Sequence, residues 1–150
     1  MNIADIEAEM AGLGFTAFDE TTALRLGTIL VDLALADDLP VVINIRSANR
    51  SFFHAALPGS APLHEIWARR KSNTALTFQE PSLLVGLRHK DKGETLAKHG
   101  LDTADYADHG GAVPIRVAGM GVVAVATASG LPQVEDHKLV IRGLKALLAD

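Results

Sequence analysis

The chain has 150 residues, 48% of them hydrophobic and 21% charged, with a formal net charge of -4. That composition is globular; it excludes disordered and fibrous classes, and the absence of a basic footprint argues against nucleic acid as a partner. There is no cysteine, which excludes disulfides and thiolate metal sites and is compatible with a cytosolic setting.

The size predicts one domain, residues 1–150, able to bury a core of its own. The start, Met1-Asn2-Ile3-Ala4-Asp5-Ile6-Glu7, lacks a basic region and a long apolar run, so no signal peptide is expected. Ile3, Ile6, Met10 and Leu13 share one face of a short helix that Gly12 and Gly14 terminate. Residues 15–18 suit a short extended piece. Asp19, Thr21 or Thr22 can cap a second helix carrying Leu24, Leu26, Ile29, Leu30, Leu33 and Leu35, which closes before Pro40.

Val41-Val42-Ile43-Asn44-Ile45-Arg46 reads as a strand, Ser47-Ala48-Asn49-Arg50 as a turn, and residues 51–57 as the returning strand of a hairpin. After the break at Pro58 and Pro62, residues 63–78 form a helix with Trp67, Lys71, Thr74 and Phe78 roughly along one side. Residues 81–89 form another, and residues 98–101 and 106–111 read as loop and turn. Residues 113–117 and 121–128 make a second pair of strands, with Pro114 at a strand start or on an edge. The apolar run 122–128 is far too short to span a bilayer, so no membrane association is expected. Pro132 opens a terminal helix whose stripe holds Val134, His137, Val140, Ile141, Leu144, Leu147 and Leu148. Strands in adjacent pairs predict an antiparallel sheet with helices packed on it, an α+β sandwich of profilin- or PAS-like topology.

Polar groups collect where the last strand stops and the last helix starts, at Ser129-Gly130-Leu131-Pro132-Gln133-Val134-Glu135-Asp136-His137. Glu135 and Asp136 place negative charge at the positive end of the helix dipole, a structural role sufficient to explain them. His137 lies on the apolar stripe, where a lone histidine is more often a hydrogen-bonded interior residue than a catalyst. Arg69-Arg70-Lys71 sits inside the third helix, where successive residues point about 100° apart, so the three cations cannot all face one ligand. Their structural reading is a solvated face with one intramolecular salt bridge; their functional reading is a grip on carboxylate or phosphate. His109-Gly110-Gly111 is a tight turn or, functionally, a nest of open N–H groups beside a possible axial histidine. Ser129 lacks the Gly-x-Ser-x-Gly frame of a nucleophile, and none of the six histidines has zinc-motif spacing.

Three motifs carry a family resemblance: Ile66-Trp67-Ala68-Arg69-Arg70-Lys71-Ser72-Asn73, Tyr106-Ala107-Asp108-His109-Gly110-Gly111-Ala112-Val113-Pro114-Ile115, and the segment from Ala128 to His137. In this order they resemble the short, stand-alone branch of the GlcG-like family, also called the haem-degrading domain family. The resemblance implies an α+β sandwich around a central antiparallel sheet, and closed homo-oligomers. It also implies a ligand site at Arg70, Lys71, His109, Gly110, Gly111, Ser129, Gly130, Glu135, Asp136 and His137, the last group alternatively lying at a subunit interface. Some relatives bind haem and others accompany glycolate or diol metabolism; haem enters only through this resemblance, and no residue here demands a cofactor.

Residues and resemblance together lead to a cytoplasmic homo-oligomer that binds a small anionic or haem-like ligand near the turn 129–137, since cations, glycine N–H groups and a helix N-terminus all favour negative charge. An oligomeric adaptor with a structural polar cluster is the alternative, and an enzyme with His109 or His137 as general base is the other.

Overall fold

The computed structural model describes residues 1–150. Helices α1 (Ile3–Ala11) and α2 (Glu20–Ala36) come first, each opened by a reciprocal side-chain and backbone cap, at Asn2 with Asp5 and at Asp19 with Thr22. The hairpin β1 (Val42–Arg46) and β2 (Ser51–Ala56) follows, then α3 (Pro62–Phe78) and α4 (Ser82–Lys92). A 3₁₀ turn at Leu96–His99 stands where the sequence suggests only loop. The second hairpin, β3 (Ala112–Val117) and β4 (Gly121–Ser129), leads into α5 (Gln133–Leu148).

The four strands pair antiparallel in the order β2-β1-β4-β3, and Phe15 adds one isolated parallel bridge to Val117 at the end of β3. The two hairpins thus join through their long-range partners β1 and β4, and Pro114, on the edge strand β3, has no outer neighbour that needs its missing N–H.

Alternation along the strands builds two unlike faces. Ile43 and Ile45, Val113, Ile115 and Val117, and Ala124, Ala126 and Ala128 join Leu26 and Leu30 of α2 and Val140, Ile141 and Leu144 of α5 in the main core. The opposite face carries Asn44, Val125, Thr127 and Ser129 under α3, where Ser72 Oγ and Thr127 Oγ1 lie 2.8 Å apart. The core side is apolar throughout; the α3 side is mixed, and two polar clefts open beside that helix. Leu24 and Leu35 of the second helix are 59% and 48% exposed, so its apolar set is wider than the face it buries. No helix is long and apolar enough to cross a membrane.

Candidate functional site

Three segments far apart in the chain meet where β4 ends. Ser129 and Gly130 leave the sheet, His109 and Gly110 come from the turn before β3, and α3 contributes His64, Trp67 and Lys71. With Gln133 and Asp136 from the start of α5 they line a hollow of about 240 Å³, walled on its apolar side by Leu63, Leu131 and the Trp67 indole.

A buried ion pair lies at its base. Lys71 Nζ donates to Asp136 Oδ2 (3.0 Å), Ala128 O (2.8 Å) and Gly110 O (3.0 Å), so all three ammonium protons are engaged by the chain itself. The Asp136 carboxylate also accepts Gly130 N–H (3.3 Å) and Leu131 N–H (3.0 Å). Burial pushes Lys71 below its ordinary value of 10.5 and Asp136 above its ordinary 3.8, while their mutual attraction opposes both shifts. The cation, glycine N–H groups and helix start that suggest an anion site therefore already hold an anion, and it belongs to the protein.

Two glycines make that pair possible. Gly111, at φ +137°, leaves space in which a Cβ would collide with Ala128 O and Lys71 Nζ. Gly130, at φ +148°, packs so closely on Pro40 O that a Cβ there would collide too. Their role is close approach of backbone rather than an open nest.

What remains open in the hollow is a set of neutral donors. His64 Nδ1 accepts Ala61 N–H at 3.0 Å, which puts the ring proton on Nε2, and Nε2 has no protein partner. Gln133 Oε1 accepts Gly110 N–H at 2.9 Å, so the amide NH₂ of Gln133 is the end left without one. Ser129 lines the same hollow, and its hydroxyl bonds to no protein group. No histidine or carboxylate contacts Ser129 Oγ, so the site shows no activated nucleophile.

Of the other residues suggested by the sequence, Arg70, Glu135 and His137 face elsewhere and His109 stands at the rim. Arg70 Nε donates to Thr103 O at 2.7 Å and its guanidinium stacks 4.4 Å from the Trp67 ring centroid, while Arg69 pairs with Asp105 at 3.1 Å. These arginines clamp the loop that leads into the His109 turn. His137 is fully buried, with Nε2 2.9 Å from Glu9 Oε1, and Glu135 is an exposed residue 3.8 Å from Lys138. His109 stays at the rim, half exposed, edge-on to Trp67 at 5.1 Å. Its Nδ1 lies 3.6 Å from Asp108 Oδ1, and Oδ2 of the same carboxylate takes the buried His89 Nδ1 at 2.9 Å.

His64 and Gln133 are the residues that sequence reasoning misses. His64 stands three positions after the helix-opening Ala61, where a capping side chain is expected, and that was the available signal. Nothing local marks Gln133, because its partner Gly110 is distant in the chain.

The family model described as Haem degrading protein HbpS-like matches residues 18–145. A UPF0303 protein of Streptomyces coelicolor is 44% identical over 149 residues, covering 99% of this chain and 94% of that protein. Among solved structures, that of the Ybr137w protein superposes with a TM-score of 0.91 at 30% identity, covering 100% of this chain and 90% of that one. The PduOC:haem complex superposes at 0.73 with 18% identity, covering 87% and 94%, a likeness of fold alone.

Proposed function

The chain belongs to the HbpS-like haem-degrading protein family, and from that premise we propose that it is a binding protein whose hollow beside Ser129 takes a small carboxylate or carbonyl compound. The observation that carries this reading is that His64 Nε2, the Gln133 amide NH₂ and Ser129 Oγ line one hollow as donors without a protein acceptor. A ligand oxygen is what such a set lacks, and a buried acceptor between them is held by neutral hydrogen bonds rather than by an ion pair. Leu63, Trp67 and Leu131 suit a short apolar tail on that ligand.

Haem is named in the family's description and in that of one structural neighbour, the PduOC:haem complex. The hollow does not fit it: 240 Å³ lies below the range of about 300–1,000 Å³ typical of pockets that enclose larger ligands, and only three of its eleven lining residues are hydrophobic. The group left for a haem-like ligand is the His109 imidazole on the rim. Self-association belongs to the same reading, since Leu63 and Ile66 stand 58% and 50% exposed on α3 beside the hollow. A cytoplasmic location goes with it.

Calorimetric titration with acetate and pyruvate, and absorbance titration with haemin, test the reading on the wild type and on Gln133→Glu. That replacement keeps the oxygen that accepts Gly110 N–H but turns the open donor into a carboxylate. Saturable carboxylate binding that weakens about tenfold or more in Gln133→Glu is expected. Equal binding by both proteins, or none by either, overturns the proposal. A haemin complex lost in His109→Ala but retained in Gln133→Glu would place haem at the His109 rim rather than against the Gln133 amide.

A further inference from the structure

The outer side of α2 carries a second apolar stripe besides the one that faces the core. Successive residues turn by about 100°, so Leu24, Thr28, Val31 and Leu35 fall within an arc of roughly 60°. Leu24 and Leu35 are largely exposed, Thr28 is exposed and Val31 is half-buried. Thr28 counts with the apolar residues here. Its hydroxyl donates to Leu24 O at 2.9 Å within the helix, so covering it leaves no proton unmet.

The spacing specifies what covers this stripe. Its members are four, three and four positions apart, the seam of a coiled coil, and that order reads the same from either end. Laid antiparallel on itself about the midpoint between Ile29 and Leu30, the stripe sets Leu24 against Leu35 of the partner subunit. Thr28 then meets Val31 of the partner subunit, and the two-fold repeats both contacts. The charges on the flank obey the same symmetry. Arg25 and Asp32 stand one heptad apart on one edge of the seam, so reversal brings Arg25 beside Asp32 of the partner subunit at two equivalent places. Within its own chain Asp32 has no ion-pair partner, and Arg25 meets only Asp150, with both of those side chains more than half exposed. Glu20, which comes near Asp38 of the partner subunit in this arrangement, is already paired with Arg50 at 2.9 Å.

We propose that α2 forms an antiparallel, isologous contact with α2 of a second copy of this chain, sealed by the four-residue stripe and aligned by Arg25 with Asp32. A parallel pairing would set Asp32 against Gly27 of the partner subunit and leave its charge unmet. A foreign helix would need neither the palindromic spacing nor the self-complementary charges. The contact is independent of the hollow beside Ser129 and of Leu63 and Ile66, because α2 covers the opposite face of the sheet from α3.

The test combines sedimentation equilibrium of charge-swapped variants with directed crosslinking, which the absence of cysteine makes unambiguous. Arg25→Asp and Asp32→Arg should each weaken association about tenfold or more, since each sets like charges together at two places, and the double swap should restore it. All three variants should remain folded by circular dichroism, because both positions are exposed. A mixture of Leu24→Cys and Leu35→Cys proteins should oxidise to a disulfide-linked heterodimer. Neither protein alone should do so, since its two thiols would lie roughly 17 Å apart along the seam. A wild type that stays monomeric, association indifferent to the charge swaps, or crosslinking of either cysteine protein with itself overturns the proposal. Indifference to the swaps would move self-association to Leu63 and Ile66.

Discussion

Lys71 and Asp136 stand on different helices, 65 positions apart in sequence, yet Nζ and Oδ2 lie 3.0 Å from each other with each side chain only 3% exposed. The pair ties α3, the end of β4 and the start of α5 into one unit, and it decides what the neighbouring hollow can bind. A charged pair so deeply buried gains little net stability from its own attraction, but removing one partner leaves the other stranded.

Lys71→Met and Asp136→Leu should therefore each destabilise the fold by roughly 3–5 kcal/mol, and the double replacement by clearly less than their sum. Urea unfolding of the four proteins in a double-mutant cycle measures this. Simple additivity would mean that the two side chains act separately.

The same pair shapes the pH profile. Lys71 is held below its ordinary 10.5, chiefly by burial, so the native chain gives up this proton at lower pH than the unfolded chain does. Between the native value and 10.5 the unfolded state holds more protons, and stability rises with pH there. Asp136, raised above 3.8 by burial, works the opposite way on the acid side: its contribution grows as pH falls towards 3.8, so it does not trigger acid unfolding. Asp19, lowered by Thr22 N–H, and Glu20, lowered by Arg50, contribute stability that is lost as pH falls through their native values. The expected result is an alkaline slope of unfolding free energy that flattens in Lys71→Met; an unchanged slope would refute this assignment.

Gly111→Ala should cost at least about 2 kcal/mol, from the strained positive φ and from the collision with Ala128 O and Lys71 Nζ. A thermal midpoint indistinguishable from that of the wild type would show that the turn yields without disturbing the ion pair.

His137→Ala should destabilise by about 2–4 kcal/mol, since it empties a fully buried site and strands Glu9, which Nε2 contacts at 2.9 Å. Carboxylate binding by the protein that remains folded should be unaffected. Loss of binding with unchanged stability would instead move His137 into the site.

Much of this arrangement is legible in the residues. The β-branched run at 41–46, the Asp19 cap, the proline on an edge strand and the glycine corner at 110–111 are local signals, and each is expressed where it stands in the chain. That α3, the His109 turn and the segment from Ser129 form one site is expected only through the family resemblance, which groups them. What is not legible is which of two sequence neighbours looks inward. Arg70 and Lys71 differ by one helical step, as do Asp136 and His137, and that step of about 100° separates the hollow from a loop clamp in one case and from the opposite wall in the other.

By itself, then, the amino-acid order determined the elements and their antiparallel pairing, because propensity, capping and apolar period act over a few residues, and the family through the resemblance of its three ordered motifs. The tertiary structure alone decided that Asp136 serves as the internal anion, that His64 and Gln133 are the open donors, and that Asn44 Oδ1 is buried without a partner. Those outcomes depend on partners tens of residues away, whose distances and hydrogen bonds exist only once the sheet has closed and α3 lies across it.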